Sequence, residues 1–180
     1  MPFSINNFRA NLTGQGARPN LFEVSIPFPT AVTTGDASQK TTFMCKATSI
    51  PGADIASFTV PYFGRQIKLA GNRTFAEWST TIINDEDFAV HGGLTNWMNG
   101  INGHADNSRT LSPSDYQVDA EVIHYTKDGN IAKAITLVNC WPSSLAAIEL
   151  GWESNDSIED FSVTWQYDYW QVNDGVHLTT

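Results

Sequence analysis

Apolar and polar residues alternate at every second position through much of this chain. A period of two places successive side chains on opposite faces of an extended strand, so the pattern predicts β-strands. In the clearest case Phe161, Val163 and Trp165 point to one face, and Ser162 and Thr164 point to the other. Five segments show the pattern: 22–26, 43–48, 58–69, 78–82 and 161–169.

Turn residues between alternating runs predict two β-hairpins. The first spans Phe58–Ala70, and Pro61 lies within its first arm. Because proline cannot donate a hydrogen bond to a ladder, Pro61 predicts an edge strand or a bulge. In the second hairpin, Asp128-Gly129 lies between the runs 118–126 and 131–139, and this dipeptide is a strong hairpin signal.

One segment has a helical pattern. It runs from Asp85 to Trp97, with Asn84 or Asp85 as the expected N-cap and acidic residues in the first turn. Gly92-Gly93 weakens the interior of this helix because glycine has a low helix propensity. The expected buried stripe consists of Phe88, Leu94, Trp97 and Met98.

The other segments are expected to be loops and short extended pieces. Residues 99–115 contain Asn-Gly twice together with Asp, Ser and Pro, which predicts a long irregular loop. Trp141-Pro142 is expected to end the strand before it, and residues 145–152 are expected to form another short extended piece. With about eight strands and one short helix, the chain is predicted to be an all-β barrel or sandwich. Its length predicts a single domain over residues 1–180.

Acidic residues outnumber basic residues and are concentrated in the second half of the chain. The sequence holds 10 Lys and Arg against 19 Asp and Glu, a formal net charge of −9. Residues 1–90 hold seven of each sign, whereas residues 91–180 hold three basic and twelve acidic residues. This balance argues against an electrostatic nucleic-acid binder, which needs clustered Lys and Arg. Either the acidic half is an ordinary solvated face, or one surface of an assembly is negative.

The sequence contains no recognisable enzyme signature. The four histidines are scattered without metal spacing, no nucleophile elbow is present, and Cys45 and Cys140 are expected to be reduced, packed thiols. A carboxylate pair for glycoside hydrolysis stays open because its separation is not visible in a sequence. No apolar run approaches the roughly 20 residues that a membrane helix needs. We therefore expect no catalytic, cofactor or metal site and no membrane-spanning segment.

Five blocks of sequence, in order over residues 17–170, carry a family resemblance. They are Ala17–Val24, Phe43–Gly52, Gly71–Trp78, Ile83–Glu86, and a C-terminal group made of Trp141-Pro142, Glu149–Trp152, Phe161–Thr164 and Asp168–Trp170. In these blocks the chain resembles the tail tube proteins of contractile-tail (myovirus-type) bacteriophages. Each block alone is a weak signal, but five in the family order are hard to obtain by chance.

The resemblance implies a β-barrel-like sandwich with a short flanking helix. Family members form hexameric rings, and the rings stack helically into a tube around which the tail sheath contracts. The implied partners are copies of the chain itself and the sheath, baseplate, tape-measure and tube-terminator proteins, while viral DNA passes through the lumen without specific binding. The implied location is the tail of the virion, after synthesis in the host bacterial cytoplasm. Type VI secretion and R-type pyocin tubes share this architecture.

Two segments are expected to contact neighbouring subunits if the resemblance holds. The hairpin Phe58–Ala70 is expected to contribute to the inner barrel and to the ring interface. Residues 27–42, a loop insertion relative to the shorter members, are expected to be a mobile loop that orders on stacking against the next ring. The candidate contact residues are Val60, Tyr62, Ile67 and Leu69 in the hairpin, and Pro27, Pro29 and Gly35 in the loop. The C-terminal tail, residues 171–180, receives no assignment.

Two other classes of function stay open from the sequence. A soluble β-sandwich carbohydrate-binding module would use exposed Trp and Tyr side chains and would be a stable monomer. A hydrolase with an unrecognised carboxylate pair would lose turnover when a single Asp or Glu is substituted. Within the tube interpretation, the sequence does not separate a phage from a secretion or bacteriocin machine.

Overall fold

The structure is a computed structural model that describes residues 5–173. Nine strands, four α-helices and one short 3₁₀ helix (Thr13–Gln15) lie within this range. The strands are β1 (Phe22–Ser25), β2 (Cys45–Thr48), β3 (Ala53–Tyr62), β4 (Arg65–Phe75), β5 (Trp78–Ile83), β6 (Val118–Tyr125), β7 (Ile131–Leu145), β8 (Asp160–Gln166) and β9 (Tyr169–Val172). The α-helices are α1 (Ile5–Asn11), α2 (Ala37–Met44), α3 (Ala89–Ile101) and α4 (Pro113–Tyr116).

Seven of the strands form one antiparallel sheet and the other two form a separate hairpin. The large sheet has the order β1-β6-β7-β8-β5-β2, and β9 also pairs with β7. The long strand β7 joins the two halves of this sheet, because its first part pairs with β6 and β9 and its last part pairs with β8. Strands β3 and β4 pair with each other in a two-stranded sheet.

The core lies between the inner face of the large sheet and helix α3. Alternate positions of β5 and β8 are buried, as a period of two requires. The indole ring of Trp165 on β8 lies 6.0 Å from that of Trp78 on β5 and 5.7 Å from that of Trp97 on α3. The indole N–H groups of Trp165 and Trp97 are buried, and each forms a hydrogen bond of 2.9 Å. Trp165 Nε1 donates to Thr80 Oγ1, and Trp97 Nε1 donates to the Tyr116 carbonyl. The sheet and the helix therefore share one aromatic cluster.

The strand pattern gave the correct fold class, and the all-β prediction is confirmed. Both hairpins are present, and the first is longer than Phe58–Ala70, since it includes all of β3 and β4. The expectation that Trp141-Pro142 ends a strand is wrong, because β7 continues to Leu145 with a register shift after Pro142. Residues 146–152 form no strand.

Helix α3 confirms the predicted helix but begins later than expected. Asp85 is not its N-cap, because residues 85–88 form a turn in which the Phe88 N–H donates to the Asp85 carbonyl at 2.9 Å. Phe88 has a left-handed backbone and a half-exposed side chain, whereas Leu94 and Trp97 are buried as predicted. Gly93 does not merely weaken the helix: a Cβ atom there would lie 2.8 Å from the Ala37 Cβ. Glycine at this position allows α2 and α3 to pack closely.

Helix α2 replaces parts of two predicted segments. The strand expected over residues 43–48 begins at Cys45, after α2 ends at Met44. The loop expected over residues 27–42 is helical from Ala37 onward. Ala37 and Thr41 lie one turn apart on α2 and are both buried, which gives the helix its inner face. Helices α1 and α4 were also not predicted, since only one helix was expected, and α4 overlaps the end of the expected loop 99–115.

Candidate assembly interface

The β3–β4 hairpin presents an apolar face to solvent. Residues that are directly opposite on antiparallel strands lie on the same face of the sheet, and Phe58 is opposite Leu69 and Val60 is opposite Ile67. The next pair on this face joins Tyr62 to Arg65. The exposed fractions are 51% for Phe58, 40% for Val60, 63% for Tyr62, 49% for Ile67 and 46% for Leu69. We call this surface the hairpin face: Phe58, Val60, Tyr62, Ile67 and Leu69.

The opposite side of the same hairpin is largely polar. There Thr59 is opposite Lys68 and Pro61 is opposite Gln66. The hairpin is therefore amphipathic, yet among residues 5–173 no layer packs on its apolar side. An isolated two-stranded hairpin is marginally stable in water, and a contiguous exposed apolar patch usually marks an interaction site.

The base of the hairpin is attached firmly to the body of the domain. The ring of Phe75, at the end of β4, lies 6.1 Å from that of Tyr167 and 6.4 Å from that of Trp170. Trp170 Nε1 donates to the Gly52 carbonyl at 3.1 Å, and the Tyr167 hydroxyl donates to the Ala76 carbonyl at 2.7 Å. Burial raises the pKa of the Tyr167 hydroxyl, which favours its protonated, donating form. These contacts fix the direction in which the hairpin projects.

The structure brings together the predicted hairpin residues but separates them from the predicted loop residues. Val60, Tyr62, Ile67 and Leu69 all lie on the hairpin face, where Phe58 joins them. In the segment 27–42, Pro27 and Gly35 are exposed, and Gly35 has a positive φ of 54° that glycine tolerates.

Pro29 is placed differently from the other two predicted loop residues. It is buried within the chain, which leaves it little surface to offer to a second copy. The neighbouring side chain of Phe28 packs on Trp97 with ring centroids 5.3 Å apart. The first part of the predicted loop is therefore anchored in the core.

A second exposed apolar surface was missed by the sequence reasoning. It lies in the segment between β7 and β8, residues 146–159, which we call the acidic loop. Three of its large apolar side chains are exposed, with exposed fractions of 84% for Leu150, 100% for Trp152 and 75% for Ile158. Leu150 and Trp152 alternate with Glu149, Gly151 and Glu153, a pattern that predicts a strand with one buried face, so no local signal marked these side chains as exposed.

Within residues 5–173, no group of three or more His, Cys, Asp or Glu side chains could hold a metal ion. Burial raises the pKa of the Cys45 thiol to about 11 and raises that of Cys140 further, so both thiols are protonated at neutral pH. Among the described helices, none has the length and apolar character needed to cross a membrane.

Comparison with known proteins identifies the chain's family. The sequence profile of the family described as phage tail tube protein matches residues 17–173. The chain belongs to the phage tail tube protein family. It is 34% identical over 164 residues to the tail tube protein gp19 of Enterobacteria phage T4, a match that covers 91% of this chain and 96% of that protein. It is 26% identical over 166 residues to the tail tube protein of Serratia phage KSP90, covering 91% and 94% of the two chains.

Solved structures from an anti-feeding prophage and from a contractile injection system have the same fold. The tube-terminating cap of the anti-feeding prophage matches with a TM-score of 0.61 at 14% identity, covering 87% of this chain and 90% of that one. A chain of the sheath–tube complex of an extracellular contractile injection system, PVC, matches with a TM-score of 0.57 at 16% identity, covering 96% and 99%. At these identities the likeness concerns the fold.

Family membership confirms the resemblance found in the sequence blocks. The tail tube protein described here is a structural tube subunit, and phage tail tube proteins are components of the virion. The family assignment favours this role over the carbohydrate-binding and hydrolase alternatives.

Proposed function

We propose that copies of this tail tube protein form hexameric rings, which stack helically into the hollow inner tube of a contractile phage tail. One observation supports this proposal above all: the apolar hairpin face is exposed on a hairpin whose base is fixed to the domain. Complete burial of a fully exposed side chain of this size contributes about 1.5–3 kcal/mol, and the five side chains of the hairpin face still expose 40% to 63% of their surface. A second copy that covered the face would therefore gain a substantial free energy of association.

Unpaired strand edges supply the second part of the argument. The large sheet ends at β1 on one side and β2 on the other, and each of these strands has one neighbour in the order. Exposed edges carry backbone N–H and C=O groups that another strand can pair with. In a ring of identical subunits each edge meets a complementary edge of the next copy. The backbone N–H and C=O groups of both edges then form hydrogen bonds with another copy of the same chain.

The segment 27–42 remains part of the proposal in a narrower form. Pro27 and Gly35 are exposed, so the turn that they border can contact the next ring on stacking. Pro29 and the start of α2 hold the same segment to the core. Ordering on stacking would therefore be confined to the exposed residues before Ala37. Residues 174–180 of the C-terminal tail lie outside the described residues, and no role is assigned to them.

The partners and the location follow from the same proposal. We expect the tube to contact sheath, baseplate, tape-measure and tube-terminator proteins. The similarity to a sheath–tube complex and to a tube-terminating cap supports the sheath and the tube terminator among them. We expect synthesis in the host cytoplasm, incorporation into the virion tail and no catalytic activity. A net charge of −9 suits a conduit, because phosphates near a negative wall are repelled rather than captured.

Assembly of the purified full chain tests the proposal directly. Sedimentation velocity and negative-stain electron microscopy are performed over a range of concentrations, with and without an assembled baseplate. The proposal predicts rings with six-fold symmetry and tubes built from them. A chain that stays monomeric at high concentration even when a baseplate is supplied would overturn it.

A further inference from the structure

The hairpin and the acidic loop leave the domain at opposite ends of the same pair of strands. In the β5–β8 pair, Trp78 is opposite Trp165 at one end and Ile83 is opposite Asp160 at the other. The hairpin ends at Phe75, just before Trp78, whereas the acidic loop ends directly before Asp160. With a rise of about 3.3 Å per residue, the two exits are about 17 Å apart along the strands.

The two segments carry opposite charges. The hairpin, Ala53–Phe75, contains the three basic residues Arg65, Lys68 and Arg73 against one acidic residue, Asp54, at its base. Residues 146–159 contain four acidic residues and no basic residue. The acidic members of the loop are Glu149, Glu153, Asp156 and Glu159. Long-range attraction between such segments guides association and disfavours like-with-like contacts.

Basic side chains near the acidic loop are already engaged within the chain. Among the described residues, Lys40 forms ion pairs with Asp85, at 2.9 Å, and with Asp87, while Lys46 forms one with Asp160 at 2.5 Å. Glu149 and Glu153 take part in none of these ion pairs. The loop therefore keeps its negative charge, and the cations at this end of the domain do not offset it.

Both segments also expose large apolar side chains. The hairpin face carries five of them, and the acidic loop carries Leu150, Trp152 and Ile158. A fully exposed tryptophan between two glutamates matches the hairpin face in both respects, because that face is apolar and also carries Arg65, opposite Tyr62. Aromatic anchors of this kind often carry most of the free energy of an interface.

We propose that the hairpin face of one copy binds the acidic loop of the next copy along the tube axis. The occupant of the hairpin face is thus a second copy of this chain, in a contact that joins different surfaces. Because the two segments leave the domain at opposite ends of the β5–β8 pair, each copy offers a hairpin from one of these ends and a loop from the other. Such contacts repeat without closing and therefore produce an open-ended filament. This inference rests on the proposed function, in which the chain assembles with itself.

Charge reversal on each side, separately and together, tests the inference. The hairpin variant carries Arg65→Glu, the loop variant carries Glu149→Arg and Glu153→Arg, and the combined variant carries all three. Lys127→Glu, in the turn between β6 and β7, is the matched control for a reversed basic residue outside both surfaces. All of these positions are exposed, and circular dichroism and urea unfolding establish that each variant is folded.

The readout is the critical concentration for assembly, measured by sedimentation at fixed salt. We expect the hairpin variant and the loop variant to raise it by about tenfold or more, equivalent to about 1.4 kcal/mol. The combined variant is expected to return close to the wild-type value, and Lys127→Glu is expected to leave it unchanged. A combined variant that assembles no better than the hairpin or loop variant would overturn the inference while leaving self-assembly intact. A wild-type chain that never assembles would overturn the proposed function itself.

Discussion

Asn139 Nδ2 donates a hydrogen bond of 2.6 Å to the Asp168 carboxylate at the point where the long strand β7 changes partners. Asn139 lies on β7 between its pairing with β9 and its pairing with β8, and Asp168 lies between β8 and β9. The Asn139 backbone is left-handed, with φ of 58°, and its N–H donates to the Asp119 carboxylate at 3.1 Å. Asparagine tolerates this conformation better than most residues. The bend that joins the two halves of the sheet is therefore held by three polar side chains.

Substitution of Asn139 separates the two contributions to this bend. Asn139→Gly keeps the left-handed backbone and loses the side-chain hydrogen bond, so we expect the free energy of unfolding to fall by about 1 kcal/mol. Asn139→Ala adds the cost of a left-handed backbone and is expected to lower it by about 2 kcal/mol. Urea unfolding of dilute protein measures both. Equal losses for the two variants would show that backbone strain does not contribute at Asn139.

Two adjacent glycines in α3 are expected to respond in opposite ways to the same substitution. Gly92→Ala places a Cβ where no heavy atom lies within 4 Å, and it should stabilise the helix by up to about 1 kcal/mol. Gly93→Ala places a Cβ at 2.8 Å from that of Ala37 and 3.0 Å from the Phe28 ring, and it should destabilise the protein by about 1–3 kcal/mol. Thermal unfolding compares the two variants directly. A stabilised Gly93→Ala variant would contradict the close packing of α2 on α3.

The ion pairs of Lys40 predict a dependence of stability on pH. The Lys40 ammonium group, followed by the Ala89 N–H, lowers the pKa of the Asp87 carboxyl. A lowered carboxyl pKa contributes stability above the unfolded-state value of about 4, and this contribution is lost as the pH falls through the lowered pKa. Asp87→Asn should therefore be less stable than the wild-type chain at pH 7, and the difference should shrink in acid.

Glu86→Gln is the matched control for this pH experiment. Glu86 is next to Asp87 and takes part in none of the ion pairs of the described residues. Urea unfolding at pH 3–7 should give a difference in the free energy of unfolding between Glu86→Gln and the wild-type chain that is nearly independent of pH. If Glu86→Gln and Asp87→Asn gave the same pH profile, the Lys40 pairing would not be the cause.

The thiols provide a test of burial that does not depend on stability. Burial raises the pKa of Cys45 to about 11, and Cys140 is fully buried. Alkylation of the native chain by iodoacetamide should be slow at pH 8, should accelerate at Cys45 as the pH approaches 11, and should spare Cys140. Mass spectrometry of the labelled peptides reads both sites, and unfolding in urea should make both reactive. Equal native labelling of the two thiols would place Cys140 at the surface.

Local patterns predicted the strands well where one face is buried and the other exposed. The alternation at Phe161, Val163 and Trp165 became β8 because each of these side chains enters the core. The sequence pattern placed the end of β7 too early, at Trp141-Pro142. Proline is excluded from the interior of a sheet but is tolerated in an edge strand or at a bulge. Strand β6 pairs with β7 no further than Cys140, so Pro142 lies where β7 has become an edge, next to a register shift.

Contacts between distant parts of the chain account for the remaining differences. Asp85 looked like an N-cap, but it pairs with Lys40, 45 positions away in the sequence, and no local pattern contains that information. The hairpin residues were predictable because Val60 and Ile67 sit at alternating positions in a clear hairpin. The exposure of Trp152 was not predictable, since a tryptophan in an irregular segment is more often buried than fully exposed.

The account depends most on the claim that the hairpin face is covered by another copy of the chain. Ile67→Asp places a charge in the middle of that face, whereas Gln66→Asp places the same charge on the opposite side of the same strand. Both positions are exposed, so both variants should fold with a wild-type circular dichroism spectrum.

Electron microscopy and sedimentation of these two variants form the most direct test. We expect Gln66→Asp to form tubes and Ile67→Asp to remain a folded monomer at concentrations where the wild-type chain assembles. Tubes formed by Ile67→Asp as readily as by the wild-type chain would contradict the account.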